Sequence, residues 1–155
     1  MLFRERSLKE IFFGKKVGFT AQEEKTLRWV KENGTEFKKS GGRQGIFVKI
    51  DPIHKGVGSV YLLPNKLGND KTGSLILFDE DIKITPGPDL WIYLSTSEDV
   101  KRNGLGKNLQ LILLKGTKGG QTYVVNKPIA ELQKYKSVVV WCKQFEVLFT
   151  YAVLL

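Results

Sequence analysis

The chain has 155 residues, of which 41% are hydrophobic and 26% are charged, and its formal net charge is +9. A chain of this length and composition can bury its own core as a globular domain, which excludes global disorder. Its single cysteine and single histidine exclude a disulfide scaffold and a zinc finger. No apolar run reaches the roughly 18 residues that a membrane helix needs.

The first part of the chain has the pattern of helices. Thr20 and Glu23 have the spacing of a capping box, in which hydroxyl and carboxylate each accept a hydrogen bond from a free backbone N–H. The residues that follow predict a helix whose apolar stripe is thin, with Leu27 and Val30 on one face. We therefore expect this helix to pack against another part of the protein.

A Ser-Gly-Gly sequence at residues 40–42 ends the helical pattern. We predict a helical extension over residues 1–40 and a second domain over residues 41–155. The predicted strands of that domain span residues 45–50, 57–63, 74–78, 90–94, 109–114, 121–125, 137–142 and 145–154. Short strands with Gly and Pro between them predict an all-β fold, an antiparallel β-sandwich of the immunoglobulin-like or jelly-roll-like kind.

Three local patterns give more detailed predictions. The loop Gly116–Gly120 is predicted to close a hairpin between its flanking strands. Val138–Trp141 has no polar side, which indicates a central strand covered on both faces. After Lys143 the pattern changes to alternation, so we expect a bend or bulge near Cys142, where the strand would reach solvent. Gly87, between two prolines, is free to take a positive φ in a rigid turn.

Several segments in a fixed order resemble the DM-thirteen domain, also called the electron-transfer DM-thirteen family. The most specific are GPDLWIYLS at residues 87–95 and YKSVVVWCKQFEVLF at residues 135–149. Others are Gly45-Ile46-Phe47, His54, Gly58, Leu114-Lys115-Gly116 and Gly120-Gln121-Thr122-Tyr123. The resemblance covers about residues 41–155. It implies an all-β domain with a redox or electron-transfer role centred on a cysteine, which by position is Cys142.

Cys142 and His54 are the first candidate site residues. Cys142 is a candidate metal or haem ligand, or a thiol that cycles through a sulfenic acid or a mixed disulfide; the alternative is a small buried hydrophobic residue. His54 is a candidate metal ligand or acid–base group, and the alternative is a loop residue bonded to backbone. Since both match the family pattern, we hypothesise that they face one pocket, as joint ligation of a metal would require.

Asp89, Trp91 and Trp141 complete the candidate site. Asp89 is predicted either to orient His54 or to serve as a turn residue whose carboxylate accepts nearby N–H groups. The two tryptophans either line a cofactor pocket or fill the core. The sequence does not identify the cofactor, and a metal or haem supplied through a partner fits the resemblance.

The enzyme templates that we considered fail, because the chain has no G-x-S-x-G motif and no complete phosphate loop. No classical enzyme activity is therefore predicted. Expected partners are a redox protein or an anionic surface; nucleic acid is disfavoured because most aromatic residues lie in apolar strands. The alternative function is a non-catalytic extracellular or surface binding module.

The compartment has two predictions. The resemblance implies an extracytoplasmic or cell-surface location. Met1–Arg6 is charged where a signal peptide needs an apolar stretch, so both a cytoplasmic protein and a secreted domain expressed without its leader fit.

Overall fold

The computed structural model describes residues 7–65 and 72–155. Met1–Arg6, whose charges bear on the signal-peptide prediction, lie outside the described residues. The helices are α1 (Leu8–Phe13), α2 (Ala21–Glu32), α3 (Gly34–Lys39) and α4 (Val100–Asn103), with a 3-10 helix at Ile129–Leu132. None of the described helices has the length and apolar character needed to cross a membrane.

The strands are β1 (Arg43–Ile46), β2 (Gly56–Val57), β3 (Ser59–Pro64), β4 (Ser74–Phe78), β5 (Lys83–Ile84), β6 (Leu90–Ser95), β7 (Asn108–Leu113), β8 (Gln121–Val125), β9 (Ser137–Cys142) and β10 (Val147–Val153). In the described part of the chain, the first sheet has the order β1-β3-β4-β8 and the second β10-β9-β6-β7, while β2 and β5 form a small ribbon. The strands within each sheet pair antiparallel.

The two four-stranded sheets pack face to face around the main core. Alternate residues of each strand point inward, as the period of two requires. The inward set from both sheets includes Val60, Leu62, Ile76, Phe78, Ile92, Leu94, Val138 and Val140, all fully buried. Each such side chain contributes about 1.5–3 kcal/mol relative to exposure. The structure is thus the predicted all-β sandwich.

The prediction of a central strand at Val138–Trp141 is confirmed. β9 lies between β6 and β10 and pairs with both. Val138 and Val140 enter the main core, whereas Val139 enters a second cluster on the outer face of the same sheet. Both faces of β9 are therefore covered, which explains its lack of a polar side.

The N-terminal helices cover the outer face of the first sheet. The Thr20 hydroxyl accepts from the Glu23 N–H at 3.2 Å, and the Glu23 carboxylate accepts from the Thr20 N–H at 3.0 Å, so the predicted capping box is present. Leu27 and Val30 of α2 pack with Phe37 of α3 on the sheet. The sheet contributes Tyr61, Leu63, Leu75 and Leu77 to this cluster. The thin apolar stripe is therefore buried by docking.

The predicted hairpin at Gly116–Gly120 is wrong. β7 pairs with β6 in the second sheet, whereas β8 pairs with β4 in the first. The loop between them crosses from one sheet to the other. It is held by the N-terminal segment, because the Thr117 N–H donates to the Lys15 carbonyl at 2.8 Å and the Val17 N–H donates to the Lys118 carbonyl at 2.9 Å.

Candidate functional site

Cys142 is the last residue of β9 and faces the main core. Its backbone neighbours across the sheet are Leu90 of β6 and Val147 of β10. The side chain is only 1% exposed and belongs to the same apolar cluster as Leu90 and Phe149. The thiol is therefore not at a solvent boundary as predicted; the strand ends there, but its inward side remains closed.

A tight turn follows the cysteine at once. Residues 143–146 join β9 to β10, and the Lys143 N–H donates to the Asp89 carbonyl at 3.0 Å. The predicted bend or bulge near Cys142 is a hairpin turn instead. The register shift lies further on, between Leu148 and Thr150 of β10.

That register shift sets the position of Phe149. Leu148 pairs with Trp141 and Thr150 with Val140, so Phe149 is the extra residue of the bulge. Its ring is buried in the main core. A bulge that re-aims one side chain thus places an aromatic ring in the cluster that holds Cys142.

His54 lies against the Phe149 ring. The His54 and Phe149 rings meet edge to face, with centroids 4.7 Å apart. The imidazole Nδ1 lies 2.8 Å and 3.0 Å from the two carboxylate oxygens of Asp51. Within the part of the chain that the structure describes, the imidazole bonds to Asp51 and makes no hydrogen bond to Cys142. Phe149 therefore joins His54 to the apolar cluster that contains Cys142.

Asp51 is a site residue that sequence reasoning missed. Its carboxylate accepts the backbone N–H groups of Ile53 and His54 at 2.8 Å and 2.7 Å. The His54 N–H and the His54 ring, helped by the Ile53 N–H, lower the pKa of Asp51 to about 2. An Asp three residues before a His in a turn was the available signal, since Asp side chains commonly bond to backbone a few residues on.

Gly87 permits a close approach of its loop to Phe149. A Cβ at this position would lie 2.7 Å from Phe149 Cζ and 3.0 Å from Leu90 Cδ2. Gly87 does not use the positive φ that glycine permits. The glycine is needed here because the absence of a side chain lets this loop pack against Phe149 and Leu90 of the main core.

The Asp89 carboxylate accepts a hydrogen bond from the Trp91 indole N–H at 2.9 Å. Asp89 is buried, and the Lys143 ammonium lies 5.0 Å from the centre of a Trp91 ring. A carboxylate, an indole and an ammonium group are thus assembled beside the Cys142 turn. Lys143 faces this indole, so its charge is directed away from the inward thiol.

Trp91 and Trp141 lie on the face of the second sheet opposite to Cys142. They are cross-strand partners in the register of β6 and β9. Both pack against the outer cluster that contains Val139, not against the main core. Because adjacent strand residues point to opposite faces, the sheet separates both indoles from the thiol.

The structure brings together no complete metal ligand set in its described residues. Within residues 7–65 and 72–155, no group of three His, Cys, Asp or Glu side chains could hold a metal ion. Joint ligation by Cys142 and His54 stays a prediction.

The comparisons with known proteins agree with the sequence pattern. The family model described as electron transfer DM13 matches residues 46–154, which is well over half of the chain. No curated protein and no solved structure matches this chain. The matched range contains both sheets except the first residues of β1, and it includes Cys142, His54, Asp89, Trp91 and Trp141. The chain belongs to the electron transfer DM13 family, and its fold is a β-sandwich.

Proposed function

We propose that this domain is an electron-transfer accessory domain in which Cys142 carries the redox change. The observation that supports this most is the position of the chain's only cysteine, at the end of the central strand and beside a short turn. Membership of an electron-transfer family gives the proposal its chemical class. Any metal or haem in the pathway would be carried by the partner protein.

A single thiol limits the chemistry to intermolecular steps. The Cys142 thiolate attacks one sulfur of a partner's disulfide, a new S–S bond forms, and the partner's old S–S bond breaks. The released partner sulfur leaves as a thiolate and takes a proton. A donor protein with two thiols completes the transfer: its first thiol attacks the Cys142 sulfur of the mixed disulfide, forms a new S–S bond and releases the first partner's second sulfur as a thiol. The donor's second thiol then attacks the donor sulfur of this new disulfide, which releases Cys142 as a thiolate and leaves the donor with an internal disulfide, so two electrons pass from the donor dithiol to the first partner's disulfide.

Burial of the thiol means that this chemistry requires a local opening. Two features of the turn after Cys142 favour one. Glu146 has a positive φ of 54°, which is costly for a residue with a Cβ. The Gln144 Oε1 atom is buried without a hydrogen-bond partner, which further destabilises the closed turn. Segments with such features open at lower free energy than the core.

The opened turn would expose the inward face of β9 at its end. The Lys143–Asp89 backbone hydrogen bond joins the turn to β6 and would have to break. Phe149 and the loop at Gly87 would remain as the walls of the exposed site. A partner that binds this end of the sandwich would thus reach Cys142 without unfolding either sheet.

The experiment that tests this proposal is exchange with a small disulfide. The native protein is incubated with glutathione disulfide, and its intact mass is followed while circular dichroism reports on the fold. One glutathione adduct per chain, absent from a Cys142→Ser variant and removed by dithiothreitol, supports the proposal. A thiol that remains unmodified in the folded protein contradicts it and leaves the binding-module alternative.

A further inference from the structure

An apolar groove of about 540 Å³ lies between α1 and the β2–β5 ribbon. Four of the side chains that line it are largely exposed: Phe12 by 70%, Phe13 by 74%, Ile53 by 69% and Val57 by 52%. Single exposed hydrophobic residues are ordinary on a protein surface, but several that border one groove mark a binding surface.

The two phenylalanines are held in position by the segment that follows them. The Lys15 N–H donates to the Thr117 hydroxyl at 3.1 Å, and the Thr117 N–H donates to the Lys15 carbonyl. Gly14 lies so close to this loop that a Cβ there would overlap the Thr117 hydroxyl. The exposed rings therefore project from a backbone that is bonded to the sandwich.

Positive charge surrounds this apolar surface. Lys55, Lys83 and Lys118 line the groove and are exposed, and none of the described lining residues is acidic. Lys15 and Lys16 follow Phe13 after one glycine and are also exposed. Glu10 is 4.0 Å from the Lys15 ammonium and offsets part of that charge. The complementary ligand is therefore both apolar and anionic.

We propose that this groove and its lysine border dock on the surface of an anionic lipid bilayer. The Phe12 and Phe13 rings and the Ile53 side chain would enter the boundary between headgroups and acyl chains, and the lysines would contact the anionic headgroups. A pocket for one small ligand typically encloses most of that ligand. The four apolar side chains of this groove are each more than half exposed, so they would not enclose a small molecule. Their exposure favours a broad surface as the occupant. The proposal does not depend on Cys142 and goes beyond the electron-transfer function.

The test is co-sedimentation of the full chain with vesicles. Phosphatidylcholine vesicles with phosphatidylserine should bind the protein, phosphatidylcholine vesicles alone should bind it weakly, and added salt should release it. Replacement of Lys83 or Lys118 by Gln should weaken binding roughly fivefold each, since a lysine near an anionic surface contributes about 1 kcal/mol. Phe12→Ala should weaken it roughly tenfold.

Matched variants separate docking at this groove from general stickiness. Phe145 is 57% exposed in the β9–β10 turn, and Lys107 is exposed beside β7. Phe145→Ala and Lys107→Gln should leave vesicle binding unchanged. Equal binding to neutral and anionic vesicles, equal loss in the control variants, or binding of a monomeric anionic lysolipid without binding of vesicles would each overturn the proposal. Thermal melting of every variant checks that it is folded.

Discussion

The Phe149 ring contacts the His54 ring edge to face, with centroids 4.7 Å apart, and so joins the chain's only histidine to the apolar cluster that holds its only cysteine. A bulge in β10 places Phe149 in this position. The loop at Gly87 lies against the same ring, since a Cβ at Gly87 would come within 2.7 Å of Phe149 Cζ.

Gly87→Ala should destabilise the domain by about 1–3 kcal/mol, because the added methyl group would overlap the Phe149 ring. Urea unfolding followed by tryptophan fluorescence measures the change. Gly18→Ala is the matched control, since a Cβ at Gly18 has no atom within 4 Å. The control should be neutral or slightly stabilising. Equal effects of the two substitutions would show that the close approach at Gly87 is not tight.

The ionised Asp51 carboxylate should stabilise the fold at neutral and mildly acidic pH, and this stabilisation should be lost only in strong acid. Its folded-state pKa is lowered to about 2, below its ordinary value of 3.8. The stabilisation is therefore complete above the ordinary value and disappears as the pH falls through about 2. Carboxyl NMR titration measures this pKa directly. Asp51→Asn should remove the corresponding pH dependence; a wild-type carboxyl that titrates near 3.8 would refute the Asp51–His54 arrangement.

Lys31→Met should loosen the attachment of α2 to the first sheet. Its ammonium lies 3.0 Å from the Asp79 carboxylate, whose side chain is only 10% exposed. Removing the cation leaves that carboxylate without its ion pair, at a cost of about 1–2 kcal/mol because Lys31 itself is half exposed. Lys25→Met, exposed on the same helix, is the control and should be near neutral. Urea unfolding at neutral pH makes this comparison.

The same pair predicts a loss of stability in alkali. The hydrogen bond to Asp79 raises the pKa of Lys31 above 10.5. A raised lysine pKa stabilises the fold fully below the unfolded-state value, and the stabilisation is lost as the pH rises through the folded-state value. The difference in unfolding free energy between the wild type and Lys31→Met should therefore become smaller as the pH rises above 10.5 and through the folded-state pKa of Lys31. A constant gap would contradict a charge interaction.

Glu146→Gly should slow the reaction of Cys142 with a thiol reagent by about fivefold. Glycine relieves the positive φ and so stabilises the closed turn. Stopped-flow labelling under native conditions gives the rate. Val30→Ala is the control, because Val30 lies in the helix cluster on the far side of the first sheet and its loss lowers global stability by roughly 2 kcal/mol. If Val30→Ala accelerates labelling in proportion, the thiol reacts through global unfolding and not through the turn.

Local sequence patterns predicted most of the helices and strands, but they did not predict how strands that are distant in the sequence pair. The Thr20 capping box and the covered strand at Val138 depend on residues that are near in sequence, and both are confirmed. The loop at Gly116 has the composition of a hairpin turn, but composition does not determine which sheet each flanking strand joins.

The candidate site was only partly predictable for a related reason. Trp141 and Cys142 are adjacent in one strand, so strand geometry alone places them on opposite faces. The contact between His54 and Phe149 depends on a bulge in β10, which alternation in the sequence did not locate. Side-chain contacts that cross a bulge follow from the three-dimensional register, not from sequence spacing.

The most direct test of the redox role is the rate of mixed-disulfide formation at Cys142 in buffer and in denaturant just below the unfolding transition. We expect one reversible adduct on the folded chain in buffer, with a rate that denaturant raises only slightly because the turn opens locally. No measurable reaction in buffer, together with a rate that rises in proportion to the globally unfolded fraction, would contradict a redox role for Cys142 in the folded domain.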